Sequence, residues 1–96
     1  MISGKTKSGI AFEFDKAALD DMRFVDLLCV IMDEEAAEFD RLSASSKAIA
    51  LLLGPAQKAA LYEHIAAAHG GRVPAAVLQQ ELTEIILSVR EDAGKN

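Results

Sequence analysis

The chain has 96 residues and a formal net charge of −5; 51% of its residues are hydrophobic, 5% are aromatic, and its mean hydropathy is +0.18. This length predicts one small domain, and the negative charge with scattered Lys and Arg argues against nucleic acid as the main ligand. The single Cys29 excludes an internal disulfide framework, and without a signal core or an apolar run of roughly 18 residues we expect no membrane partner and a cytoplasmic location.

The N-terminal segment contains Gly4-Lys5-Thr6, the last three residues of a phosphate-binding loop signature. The full signature needs an earlier glycine and a preceding strand, for which residues 1–3 leave no room. The residues that follow instead alternate apolar and polar, which predicts a strand. We therefore predict a β-hairpin within residues 1–14, with strands at 2–6 and 10–14 and a turn closed by Gly9. The apolar face of the second strand would comprise Ile10, Phe12 and Phe14.

The remaining chain predicts four main helices joined by short loops. After a short turn capped by Asp15, the stretch MRFVDLLCVIMDEEAAEF, residues 22–39, has apolar residues at i, i+3, i+4 and i+7 from Phe24. Because its apolar residues cover more than half of the helix circumference, we expect this first helix to lie at the centre of the fold. The second helix follows in RLSASSKAIALLLG. Its possible N-terminal caps are Ser43, Ser45 and Ser46.

Glycine and proline mark the later boundaries. Gly54-Pro55 separates the second helix from a third at about 55–68, Gly70-Gly71 ends the third, and Pro74 opens the fourth. The sequence thus predicts a mainly α fold: a single helical domain of about four main helices with an N-terminal hairpin, spanning residues 1–90. Residues 91–96 are expected to be a flexible tail.

The residue types that carry chemistry do not form a pattern typical of an enzyme, a cofactor site or a metal site. His64 and His69 are five residues apart on a helix, so they point in different directions and are interpreted as surface or helix-end residues. Cys29, within the apolar stripe, is interpreted as a small core residue. The acidic residues of 33–40 are interpreted as a solvated helix end, with a docking patch for a basic partner as the alternative.

Such a high apolar content in so small a domain indicates that some apolar surface remains exposed or is covered by a partner. One way to cover it is self-association. The hypothesis is that the last helix, or the stretch Leu51-Leu52-Leu53, buries surface in a homo-oligomer.

Several segments resemble one known family. LLLGPAQKAALYEHI and HGGRVP, together with GKTKSGIAFEFD, DDMRFVDLL and ELTEIIL, are similar to the small tail assembly chaperones of long-tailed bacteriophages and prophages. The resemblance extends from about Gly4 to Leu87, but segment 34–46 matches nothing in the family pattern. It implies a non-enzymatic protein that binds the tape measure protein, keeps it soluble and helps to recruit tail-tube subunits. Such a protein acts in the host bacterial cytoplasm and is absent from the mature virion.

For contact with a partner, we select large residues on the helices near these segments. They are Leu51, Tyr62, Ile65 and Leu82. The alternative function is a generic cytoplasmic helical adaptor or regulatory protein-interaction module with an unrelated partner.

Overall fold

The computed structural model of the chain describes the backbone of residues 1–94 and the side chains of residues 1–89. It is mainly helical, with an N-terminal antiparallel hairpin of two strands, as the sequence predicts. The elements are β1 (Ile2–Lys5), β2 (Ala11–Phe14), a short 3-10 helix (Lys16–Asp20), α1 (Met22–Met32), α2 (Glu38–Ala68) and α3 (Ala75–Gly94).

The hairpin confirms the predicted strands, each one residue shorter than expected. Ile2 pairs with Phe14 and Gly4 with Phe12. A Cβ at Gly4 would lie 3.1 Å from Cζ of Phe12, so this glycine allows the aromatic ring to cross the partner strand. Gly9 closes the turn with a φ of 98°. The residues that resemble the end of a phosphate-binding loop therefore form a strand and its turn.

Packing against the helices explains why the hairpin is stable, because an isolated hairpin is only marginally stable in water. Ile2, Phe12 and Phe14 are buried, and the two phenyl rings stack with their centroids 6.2 Å apart. Strand β1 packs against α3, and β2 packs against α2.

Helix α1 ends at Met32, so the prediction of one helix over 22–39 is wrong. The N–H of Asp33 donates to the carbonyl of Val30 at 3.2 Å, and its carboxylate accepts the N–H of Glu35 at 2.9 Å. This local bond stabilises a turn that competes with further helix. The chain therefore leaves the helix at Asp33 and begins α2 at Glu38.

The expected central position of α1 is also wrong. The helix packs along α2 from the outside, and Phe24 is its only fully buried residue. Cys29, expected in the core, is exposed. At about 100° per residue, Cys29 lies roughly 140° around the helix from Phe24, on the side that nothing covers.

The serines predicted as caps lie inside α2, because the helix begins five residues before the first of them. The hydroxyl of Ser45 donates to the carbonyl of Arg41 at 3.0 Å, one turn earlier. At the true start, Glu38 and Asp40 place carboxylates in the first turn, where the helix dipole stabilises negative charge.

Helix α2 is sharply bent at Gly54, whose φ of 82° and ψ of 167° are not helical. The hydroxyls of Ser46 and Tyr62 lie 3.2 Å apart across the bend, whereas a straight helix would separate these residues by about 24 Å along its axis. The two arms, 38–53 and 55–68, therefore fold back beside one another. Among the described residues there are three α-helices rather than about four, because α2 runs through both the second and the third predicted helix. The predicted boundary between them at Gly54-Pro55 is confirmed, since Gly54 is not helical and the two arms are separate helical segments.

Gln57 links the bend to the hairpin. Its side-chain amide donates to the carbonyl of Leu53 at 2.9 Å and to the carbonyl of Glu13 at 2.7 Å, while its oxygen accepts the N–H of Glu13 at 2.8 Å. The side chain thus satisfies a carbonyl at the bend and pairs with the free edge of β2.

The last boundaries agree with the prediction. Gly70 and Gly71 both have positive φ, and α3 starts directly after Pro74. Helix α3 extends to Gly94, into the segment 91–96 that was expected to be a flexible tail, and residues 95 and 96 lie outside the described residues.

The core lies between the hairpin, both arms of α2 and α3. Its buried apolar residues are Ile2, Phe12, Phe14, Phe24, Ala48, Ile49, Leu52, Leu53, Leu61, Ile65, Leu78, Leu82 and Ile85.

Candidate functional site: an apolar groove between the three helices

An open groove of about 360 Å³ runs between α1, the first arm of α2 and α3. We call it the helix groove. Most of its surface is aliphatic, because α1 and α3 turn apolar side chains toward it, whereas α2 contributes Arg41 and Ser45. Its lining residues are Leu28, Ile31, Met32, Arg41, Ser45, Gln79, Leu82, Thr83, Ile86 and Leu87.

Exposed apolar side chains distinguish the helix groove from the core beneath it. Met32 is 75% exposed and Leu87 is 47% exposed, whereas Leu82 is buried. Ile31 and Ile86 are partly buried against the core. A large apolar side chain that is left in water gives up about 1.5–3 kcal/mol relative to burial, so this surface favours a partner that covers it.

The polar groups of the groove are largely occupied within the fold. Nε of Arg41 donates to the carbonyl of Ile31 at 3.0 Å, which ties the start of α2 to the end of α1. The hydroxyl of Ser45 donates to the carbonyl of Arg41, and that of Thr83 to the carbonyl of Gln79 at 2.9 Å. A ligand in the groove would therefore meet mainly aliphatic surface.

A second apolar surface, which we call the outer patch, lies on the opposite flank of α1. It is more open to solvent than the helix groove, and it carries charges of both signs. Leu51 is 38% exposed at this surface. The lining residues are Arg23, Asp26, Leu27, Val30, Lys47, Ala50 and Leu51.

The structure does not bring the four predicted partner-binding residues together. Leu51 lies on the outer patch and Leu82 contributes to the floor of the helix groove. Ile65 is buried in the core. Tyr62 is half-buried at the bend of α2, where its hydroxyl bonds to Ser46 and the ammonium of Lys58 lies 5.5 Å from its ring centroid.

Sequence reasoning missed Met32, Ile86 and Leu87 as residues of an exposed apolar site. The available signal was the excessive width of the apolar stripe of α1, which included Met32. A helix that is apolar over more than half of its circumference can cover a core with one side and leave the other for a partner.

A polar cluster ties the hairpin turn to α2 and α3. The hydroxyl of Ser8 donates to Oε1 of Glu81, and Nε2 of His64 lies 3.0 Å from the carbonyl oxygen and 3.1 Å from the hydroxyl oxygen of Ser8. In addition, Glu84 accepts the backbone N–H of Lys7 at 2.8 Å.

The cluster differs from a catalytic triad, although it contains a serine, a histidine and a carboxylate. In a triad the carboxylate orients the histidine and the histidine receives the proton of the serine. Here the serine donates to Glu81, and Nε2 of His64 lies beside both the carbonyl and the hydroxyl of Ser8. Among the described residues, no carboxylate is hydrogen-bonded to His64 to orient it. Oε2 of Glu81 is buried without a hydrogen-bond partner among the described residues. We interpret the cluster as a structural link that fixes the turn.

The two histidines make different structural contacts. His64 contacts the hairpin turn, and His69 forms the C-terminal cap of α2, so the interpretation of His69 as a helix-end residue is confirmed. Among the described residues, no three His, Cys, Asp or Glu side chains are grouped as metal ligands. No helix within the described part of the chain combines the length and apolar character needed to cross a membrane.

Among the described side chains, an ion pair shifts two pKa values at the start of α1. The guanidinium of Arg23 donates to the carboxylate of Asp21 at 2.6 Å. The side-chain bond from Arg23, followed by its backbone N–H bond, lowers the pKa of Asp21 from 3.8 to about 2. The same bond raises the pKa of Arg23. Asp21 therefore remains ionised as the N-cap of α1 well into the acidic range.

No protein-family model matches this chain, and no curated protein or solved structure is significantly similar to it. Its function therefore has to be inferred from its own residues and surfaces.

Proposed function

We propose that the chain is a tail assembly chaperone of a long-tailed bacteriophage or prophage, which binds helical apolar segments of the tape measure protein in the helix groove. The observation that carries the proposal is an aliphatic groove bordered by Met32 and Leu87, both substantially exposed in a domain of only 96 residues. The segments that resemble this family support the identity of the partner.

The size of the groove suits transient binding. An amphipathic helix that covers three large apolar side chains gains about 5–9 kcal/mol of gross burial energy. Association and side-chain ordering cost about 4–15 kcal/mol, so the net affinity is modest and the complex is reversible. A chaperone has to release its partner once tail-tube subunits assemble around it, and modest affinity allows this release.

The acidic character of the chain complements this role. A net charge of −5 keeps a protein with exposed aliphatic surface from associating indiscriminately. In the proposed role, the chain acts in the host bacterial cytoplasm, holds the tape measure protein soluble and helps to recruit tail-tube subunits. It requires no cofactor, performs no catalysis and is not retained in the mature virion.

The alternative is a generic helical adaptor or regulatory module that uses the same groove for an unrelated partner. A groove of this kind accepts amphipathic helices by non-directional burial, so the fold alone favours neither function. The identity of the partner distinguishes the two functions.

Co-expression with the tape measure protein encoded nearby in the same genome tests the proposal. We expect the chain to increase the soluble fraction of the tape measure protein, and the double variant Met32→Gln/Leu87→Gln to lose this effect. Met22→Gln is the matched control, because Met22 is a second exposed methionine of α1, about 15 Å from Met32 along the helix.

Two outcomes would contradict the proposal. Equal insolubility of the tape measure protein with and without the chain would remove the chaperone function. An equal loss of activity in Met22→Gln and in the double variant would show that the helix groove is not the binding site.

A further inference from the structure

We propose, on the basis of the function proposed above, that the helix groove selects an amphipathic helix with Lys or Arg at one end of its apolar face. The groove supplies the apolar contact. The acidic segment, residues 33–40 between α1 and α2, supplies the negative charge that determines which helix binds and in which direction. The partner is thus a helical segment of another protein with a basic end.

Chain connectivity places the acidic segment at one end of the groove. Met32, the last residue of α1, and Arg41, in the first turn of α2, both line the groove. Residues 33–40 connect these two lining residues, so they lie at this end. A bound helix with one end beside Met32 and Arg41 would bring that end next to residues 33–40.

This segment has a strong and one-sided charge. It contains no Lys or Arg, and all its acidic side chains are exposed; they are Asp33, Glu34, Glu35, Glu38 and Asp40. Among the described side chains the salt bridge is Asp21–Arg23, so none of these five carboxylates is paired with a cation there. A partner with positive charge at this end of its helix would complement them.

Internal structural roles account for only some of the five acids. Asp33 stabilises the turn through Glu35 N–H, and the carboxylates of Glu38 and Asp40 lie at the N-terminus of α2. The side chains of Glu34 and Glu35 make no hydrogen bond among the described residues, so the fold leaves both of these carboxylates for contact with a partner. Two exposed ion pairs of ordinary strength correspond to about a 2- to 30-fold gain in affinity at low ionic strength.

Two synthetic peptides test the proposal. Each is an amphipathic helix of about 18 residues, roughly 27 Å long, with the same leucine-rich face. One has three lysines at one end and the other has glutamines in their place. Their dissociation constants are measured by fluorescence anisotropy with the full chain, at low ionic strength and at about 1 M salt, where the screening length is only about 3 Å.

The variant Glu34→Lys/Glu35→Lys removes the proposed charge contact without altering Asp33 or the start of α2. The control Glu13→Lys/Glu63→Lys changes the net charge equally at two exposed acids that do not line the groove. Circular dichroism verifies that both variants keep the helical content of the unaltered chain.

We expect the basic peptide to bind about 2- to 30-fold more tightly than the neutral peptide, and this preference to disappear at high salt. Glu34→Lys/Glu35→Lys should abolish or reverse the preference, while the control retains most of it. Equal binding of both peptides would overturn the charge selection but leave the groove as a binding site. If neither peptide binds, the groove is not a helix-binding site. If the control Glu13→Lys/Glu63→Lys weakens the preference as much as Glu34→Lys/Glu35→Lys does, the preference arises from the net charge of the chain and not from residues 33–40, which overturns the proposal.

Discussion

The bend of α2 depends on Gly54. Replacing this residue with alanine measures how much the glycine contributes to the free energy of unfolding. Its φ of 82° and ψ of 167° lie in a region of backbone conformation that is essentially restricted to glycine. A Cβ added there would meet no atom within 4 Å. The substitution therefore changes the backbone energy without creating a steric clash with neighbouring residues.

The expected loss for Gly54→Ala is about 1–3 kcal/mol, the usual cost of holding a residue other than glycine in this conformation. For a domain of this size the loss lowers Tm by about 4–24 °C. Relaxation of the bend would limit the loss, but it would also separate Ser46 from Tyr62 and weaken the contacts of Gln57 with the hairpin. Either response destabilises the fold.

Urea unfolding followed by circular dichroism measures the free energy of unfolding of the Gly54→Ala variant. Gly70→Ala is the control, because Gly70 also has a positive φ, 65°, and no atom within 4 Å of an added Cβ, but it lies in a loop outside the bend. We expect a smaller loss at Gly70, about 1 kcal/mol. A Gly54→Ala variant that unfolds at the same urea concentration as the unaltered chain would refute the assigned role of the bend.

Three further predictions concern the hairpin turn, the start of α1 and the outer patch. Ser8→Ala should lower the free energy of unfolding by about 1–3 kcal/mol in urea titrations, because buried Glu81 loses its hydrogen-bond donor; an unchanged midpoint would contradict this. The Asp21 carboxylate should titrate at about 2 by ¹³C NMR, and Arg23→Ala should return its pKa toward 3.8. Because folding lowers the pKa of Asp21, its ionised carboxylate stabilises the fold fully at pH values above 3.8, and this stabilisation is lost as the pH falls through about 2. A titration midpoint near 3.8 in the unaltered chain would disprove the ion pair. Of the stretch Leu51-Leu52-Leu53 that the sequence suggests for self-association, only Leu51 is exposed, because Leu52 and Leu53 are buried in the core. If Leu51 and the outer patch hold two copies together, Leu51→Asp should reduce the sedimentation coefficient at tens of micromolar, and a strict monomer before substitution would contradict this.

The hairpin could be predicted because its signals are local. Apolar alternation through Phe12 and Phe14, followed back to Gly9 in the turn, identifies both strands. The end of α1 could not be predicted in the same way. Residues 33–39 are compatible with a helix by composition, and the helix ends because Asp33 bonds to the backbone of Glu35.

The position of α1 illustrates a different limit. Its wide apolar stripe predicts central burial, but the bent α2 fills the centre and leaves α1 outside. The unburied part of the stripe, including Met32, then becomes the wall of the helix groove. The prediction of Leu82 as a partner-binding residue agrees with its place in this groove, whereas the exposure of Leu87 depends on how α3 packs and cannot be predicted from its sequence position.

The central claim is that the chain has more apolar surface than its core can bury, and that the helix groove presents this surface to a partner. Methyl NMR tests this claim most directly. The chain, labelled at methionine, isoleucine and leucine methyl groups, is titrated with the neutral amphipathic peptide described above. We predict shift changes for the methyl groups of Met32, Ile86 and Leu87, with Met22 unaffected. No shift at saturating peptide, or shifts confined to Leu51 and the outer patch, would contradict the assignment of the helix groove as the binding site.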